Sequence, residues 1–494
     1  MNMVFYIAFI TKSSIQIPTL GSVAKFNAMK SFVGKLVNPF LLTLLAVITA
    51  VGQSNQKPII RTQRNSMFMY MNKERGNFNG INDLPKDFSY DFGTETERTP
   101  LTLVSEQDSV VLLLRHGVQT DFQIIRQAKG DTVQCHFSSH PFVKAAVFTD
   151  AYKKANQGKT IIEVPEVYEL INVVFALTDY GKTEAIYKGT DYYSAVMTQF
   201  MPYKTNRAVQ VIDSLLRASA DQYHNLKMDS YAFQFQGDRL VNGGIYDRVS
   251  WGEQNTLSPY IPLLEQFAKE SKFRVFYQKN QPYYNSLITD FRQNVNVACM
   301  KDWLEKQFPT TRYSAVKVLF SPLVGWNQSA NNFSDNDFTE AQAHVDFPFV
   351  SATQKSQPPT ITKGQRMKIV FTELNHNYLN PEAEKYTPQI GAAFKDLSKW
   401  ITNGKPSAGY SNALSCFEEY MNYALVSLLY ADLFDAKSFD TLNAGVEKGM
   451  VVNRGFQRFK EFNEELLRLY RTRKPGQTVA DLYPAIISWA AAQP

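Results

Sequence analysis

The stretch Ser411–Phe434 (SNALSCFEEYMNYALVSLLYADLF) has almost no polar face, and the two adjacent acids Glu418 and Glu419 interrupt it near the middle. Its spacing predicts a long helix, and a helix that is apolar nearly all round is buried. A buried carboxylate is costly unless it is paired, hydrogen-bonded or metal-bound. This one segment therefore demands a core large enough to surround it and a partner for at least one acid. The chain has the material: 494 residues, 44% hydrophobic and 13% aromatic, suffice for one large or two ordinary cores. On the helix, Glu419 shares a face with Tyr423, Val426 and Tyr430, whereas Glu418 shares one with Leu414, Met421, Asn422 and Leu425. Sequence leaves the choice between them open. It also leaves open that one acid meets solvent at a helix edge while the other pairs with a lysine or caps a loop.

A helix is also predicted from Met367 to Leu379, ended by Asn380-Pro381. It carries Phe371-Thr372-Glu373-Leu374-Asn375-His376, which has the frame of H-E-x-x-H. In that motif two histidines four apart bind zinc from one helical face, and the glutamate polarises the metal-bound water. Here Thr372 occupies the first ligand position, and a neutral hydroxyl is a poor zinc ligand beside imidazole or carboxylate. Glu373 remains as the candidate general base and His376 as a candidate ligand, with Glu419 or Glu418 as the acid contributed by the later helix. His344 or Asp346, in Ala343-His344-Val345-Asp346, is a candidate for the missing donor.

A second motif, Leu112-Leu113-Leu114-Arg115-His116-Gly117, ends an apolar run with the Arg-His-Gly of histidine phosphatases. That chemistry needs a second histidine, further arginines and an acid. None of His136, His140, His224, His344 or His376 sits in a matching context, so a helix end with a solvated Arg-His pair is the expected reading.

Between the motifs, residues 53–103 are polar and irregular and read as a linker and loosely packed lead-in. Apolar residues then recur at three- and four-residue spacings, for example in Val164–Leu177 and Ala208–Leu216, which predicts a helical region over 104–310. Arg274–Tyr277 and Ala315–Leu323 read as strands, Asn327–Asp337 and Thr353–Lys363 as loops, and Lys448–Thr472 as one helix.

From Met29 the sequence MKSFVGKLVNPFLLTLLAVITAVGQSNQ has a basic start, an apolar run from Phe40 to Val51 and small residues at Ala50 and Gly52. This is the layout of a secretory signal, cleaved between Gly52 and Gln53, with Met29 as the expected true start. The run is short for a membrane span, so residues 1–52 are expected to be removed, leaving an exported chain, periplasmic or extracellular, without a transmembrane span. Those residues hold four lysines and no acid, and without them 48 basic residues face 46 acidic ones. That balance gives no support to nucleic-acid binding. Three widely spaced cysteines, Cys135, Cys299 and Cys416, allow at most one disulfide and no thiolate zinc site.

Taken together, Glu166–Thr178, Ser321-Pro322-Leu323-Val324-Gly325, Phe371–Pro381 and Glu419-Tyr420-Met421 resemble a bacterial exported family, the domain of unknown function 4932. The resemblance runs from about residue 105 onward, and His376-Asn377-Tyr378-Leu379-Asn380-Pro381 is its most specific part. Many members carry a full H-E-x-x-H, which implies a zinc-peptidase ancestry. By that resemblance Glu373 is the general base, His376 the second histidine ligand and Glu419 the third ligand, with Thr372 the departure. The expected fold is α+β and predominantly helical, with a zincin-like part over 311–494 and the helical region packed against it. Two functions follow as expectations. One is an exported metallopeptidase-like hydrolase acting on a peptide or protein. The other is a non-catalytic descendant that binds a peptide or glycan in the cell envelope.

Overall fold

The computed structural model describes residues 57–494 apart from 64–65, 72–73, 76–80, 83–86 and positions 106, 128, 220, 327 and 411. The proposed signal segment lies outside the described residues. The fold is mixed α+β and mostly helical, and among the described residues no helix is long and apolar enough to cross a membrane.

The first part corrects the sequence reading. Residues expected to form a linker, and those from Val104 expected to be helical, build two packed β-sheets that run to Pro141. One sheet orders Ile59–Thr62, Thr120–Arg126, Asp131–Pro141 and Asp87–Thr94; the other is built on Ser66–Met71, Arg98–Val104 and Ser109–Arg115. Every second side chain points into a private core: Leu101 and Leu103, Leu112 and Leu114, Phe122 and Ile124, and Val133, Cys135 and Phe137. That period of two is the strand signature. Polar residues on the alternate positions dilute the mean hydropathy and make such segments look like loops. Arg115 ends a strand here rather than a helix, and His116 Nε2 meets Thr94 Oγ1 at 2.8 Å.

The larger part is centred on a four-stranded sheet. Thr160–Glu163, Ala315–Ser321 and Phe338–Asp346 run parallel, and Ser329–Asp335 closes one edge antiparallel to Phe338–Asp346. The edge strand falls where a loop was expected. Its Asn- and Ser-rich composition hides it, and only Ser329, Phe333 and Asp335 are buried. Arg274–Tyr277 is helical, inside Phe273–Lys279, because Phe273 and Phe276 bury one helical face together.

Three helices frame the site. The motif helix, Pro359–Glu384, begins inside the expected loop and continues through Pro381 instead of stopping there. A proline removes the N–H that would bond the carbonyl four residues back. That carbonyl, on Asn377, instead accepts the Tyr313 hydroxyl at 2.9 Å. Tyr313→Phe should therefore cost about 1–2 kcal/mol in urea unfolding. In a Pro381→Ala background, where the backbone bond can form, the cost should shrink.

The apolar helix, Ala413–Leu433, is buried over most of its length and crosses the motif helix. Beyond it, the expected single helix over Lys448–Thr472 is broken. A π-helical turn, Gly449–Arg454, ends at Gly455 with φ 84°, and an α-helix resumes over Phe459–Thr472. The left-handed backbone favours glycine, and a Cβ at Gly455 would press on Lys405 at 2.6 Å.

Candidate functional site

Where the motif and apolar helices cross, His376 Nε2 lies 3.7 Å from Glu419 Oε2. Glu419, 3% exposed, is thus the acid that meets the histidine. Glu418 is also buried, but its Oε1 has no partner and its carboxyl is pushed up by burial and then by Glu384 and Glu419. It faces the C-terminal end of the motif helix.

Both His376 and Glu419 are engaged by neighbouring side chains. The Arg454 guanidinium donates to Glu419 Oε1 at 2.5 Å and to the Tyr410 hydroxyl at 2.8 Å, and it lies over the Tyr423 ring, 4.8 Å from the centroid. The Asn422 amide donates to His376 Nε2 at 2.8 Å and to Glu419 Oε2 at 3.3 Å. The other ring nitrogen, Nδ1, lies 3.2 Å from Asn380 Oδ1. Thr372 donates its hydroxyl at 2.7 Å to Ile369 O on its own helix. Burial pushes the Glu419 carboxyl up, but Arg454, His376 and Asn422 more than offset this and hold it below the usual value.

Zinc needs deprotonated donors whose lone pairs are free. Here the carboxylate is neutralised by a guanidinium, the imidazole lone pair accepts an amide proton, and the hydroxyl is committed to backbone. Among the described residues, no group of three His, Cys, Asp or Glu could hold a metal ion. The arrangement as it stands does not fit a zinc ion.

Glu373 and a residue the sequence reading missed make up the rest of the site. Burial, then the Glu419 charge, pushes the part-buried Glu373 carboxyl up to about 8, against the pull of Lys227 and Arg454. Lys227, on the helix Asp221–Asp229, is fully buried. Burial brings its ammonium down to about 7, with the charges of Glu373 and Asp346 opposing the shift. Asp346, at the end of its strand, accepts from Gln328 Nε2 at 2.9 Å and is pushed up to about 6 by burial. Burial thus shifts three groups towards neutrality, and strongly shifted groups concentrate at functional sites.

His344 lies one alternation back from Asp346 on the same strand. It is fully buried, its ring Nε2 faces Gln342 Oε1 at 3.1 Å, and burial holds it neutral. It does not join His376 and Glu419. His224, bonded through Nδ1 to Ser329 Oγ at 2.6 Å, is likewise kept neutral by burial. All three cysteines are free.

No curated protein and no solved structure matches this chain. One family model does match, over residues 211–489, which is more than half of the chain; its description is a domain of unknown function (DUF4932), and the chain belongs to that family.

Proposed function

We propose that this chain is an exported, metal-free relative of zincin-type peptidases that uses the former metal cleft to bind a peptide. The observation that carries the reading is the Arg454 guanidinium on Glu419, which puts a fixed positive charge beside the carboxylate that would otherwise bind metal. The edge strand supports it, because it runs beside the motif helix and its Asn332 amide reaches Asn377 Oδ1 at 3.1 Å. Strands at a sheet edge accept extended peptides through backbone pairing. Export rests on the segment that begins at Met29.

Metal content measured by mass spectrometry on protein purified without chelator or affinity metal tests this. The wild-type chain should carry well under one zinc per molecule. Thr372→His combined with Arg454→Ala should gain about one, lost again on adding His376→Ala. A wild-type zinc that disappears in His376→Ala alone would overturn the reading.

A metallopeptidase-like hydrolase is the second reading. It is favoured by Glu373, which keeps the general-base position one turn from His376 with a carboxyl titrating near neutrality. Peptide hydrolysis by the wild-type chain that is lost in Glu373→Gln would support it.

A further inference from the structure

Next to the Glu373 site, and sharing Asp346 with it, lies a cavity of about 490 Å³, within the usual size range of small-ligand sites. Its walls are mixed, aromatic and aliphatic on one part and polar at Gln354, Gln365 and Thr441. Tyr187 stacks on Phe349 with centroids 4.7 Å apart, and Leu442 and Val446 face them from the helix Ala436–Lys448. Two of the charged groups at its rim are already satisfied. Arg366 is paired with Asp290 and donates to Pro348 O at 3.0 Å, and Asp346 holds its bond from Gln328. Lys368 is different. It lines the cavity one turn before Thr372, is only part-exposed, and makes no hydrogen bond or ion pair with a described residue. The Asp346 charge reaches it only across the cavity, beyond ion-pair distance, and a part-buried ammonium that no acceptor solvates attracts an anionic one. Gly445 lies exposed at the mouth of the cavity, where a Cβ would meet nothing within 4 Å.

We infer that this cavity binds an apolar monocarboxylate, with its carboxylate on the Lys368 ammonium and its hydrocarbon or aromatic part between the Tyr187–Phe349 pair and Leu442. The last residue of a peptide and a free aromatic or branched acid share that chemistry. The peptide source rests on the function proposed above, whereas the free-acid source does not.

Isothermal titration of the full chain with N-acetylphenylalanine, N-acetylphenylalaninamide and a pentapeptide ending in phenylalanine tests it. The acid should bind about tenfold or more tighter than the amide. Lys368→Met should abolish that difference. Gly445→Leu should obstruct the mouth of the cavity and weaken binding without lowering Tm, since replacing a helical glycine favours the helix. A pentapeptide that binds tighter than the N-acetyl acid supports the inference with a peptide as occupant. Equal affinity supports it with a free acid as occupant and counts against the peptide-binding function. Acid and amide binding alike, no binding by any probe, or unchanged binding in Gly445→Leu would overturn the inference.

Discussion

Replacing Arg454 with methionine should lower the free energy of unfolding by about 3–5 kcal/mol at pH 7, because it leaves Glu419 charged, buried and without its cation. The side chains of Glu419 and Arg454 are 4% and 23% exposed, so solvent offers little screening. The penalty should depend on pH in a defined direction. In the wild type the Glu419 carboxyl lies below its usual value of 4.5, so its contribution is complete above pH 4.5 and is lost as pH falls through the folded value. In the variant, burial is no longer offset by Arg454 and the carboxyl rises above 4.5, so on acidification the proton relieves the variant while the wild type loses its stabilisation. The difference between the two should narrow towards pH 4. Arg454→Met combined with Glu419→Gln should cost less than Arg454→Met alone, because the double variant buries no lone charge. Urea unfolding at pH 7 and pH 4 measures all three. A loss of under about 1 kcal/mol for the single variant, the range of exposed surface pairs, would show that the pair is solvated.

Glu373→Gln should stabilise the protein at pH 8, by a few kcal/mol as an order of magnitude. The Glu373 carboxyl is raised from 4.5 to about 8. The folded chain therefore holds a proton that the unfolded chain has released, and stability falls as pH climbs through that window. Lys227, lowered from 10.5 to about 7, acts in the opposite sense: the unfolded chain binds the extra proton, so stability rises from about pH 7 upward. The two slopes meet in a minimum near pH 7–8, within the range where the protein would work. Glu373→Gln should flatten the acid limb and leave stability near pH 4.5 unchanged, and Lys227→Met should flatten the basic limb. An ordinary core substitution would destabilise at every pH. Thermal unfolding followed from pH 4.5 to 10 distinguishes these outcomes. A stability gain on removing a polar group is the signature of a site kept for something other than folding.

What sequence could reveal depended on whether a residue's neighbours lie along the chain or across space. Ala413–Leu433 was legible because it is apolar on every side, and Ala315–Ser321 because its seven residues are all buried. The motif helix was legible through Glu373 and His376, but its passage through Pro381 was not, since the group that permits it is the hydroxyl of Tyr313, remote in sequence. The β-sandwich was missed because its apolar residues alternate with polar ones. It also lies outside residues 211–489, the family-matched part, as does the segment Glu166–Thr178 that carried part of the resemblance. Lys227 lies on a short helix of mostly polar composition and reads as a surface lysine until the sheet is folded over it. Arg454 reads as a charge on a continuous helix, and only the π-turn and Gly455 bring it to Glu419.

The Arg454–Glu419 pair also bears on how such a cleft could change over generations. For any lineage in which it once held a metal, the way back is blocked one mutation at a time. Regaining a histidine at Thr372 alone sets a new ligand beside a guanidinium that repels the cation, and losing Arg454 alone strands a buried carboxylate before any metal is there to claim it. Each single reversal carries an electrostatic cost that the two together avoid. In such a lineage the pair would act as a ratchet, and drift would elaborate the cleft around it more readily than undo it.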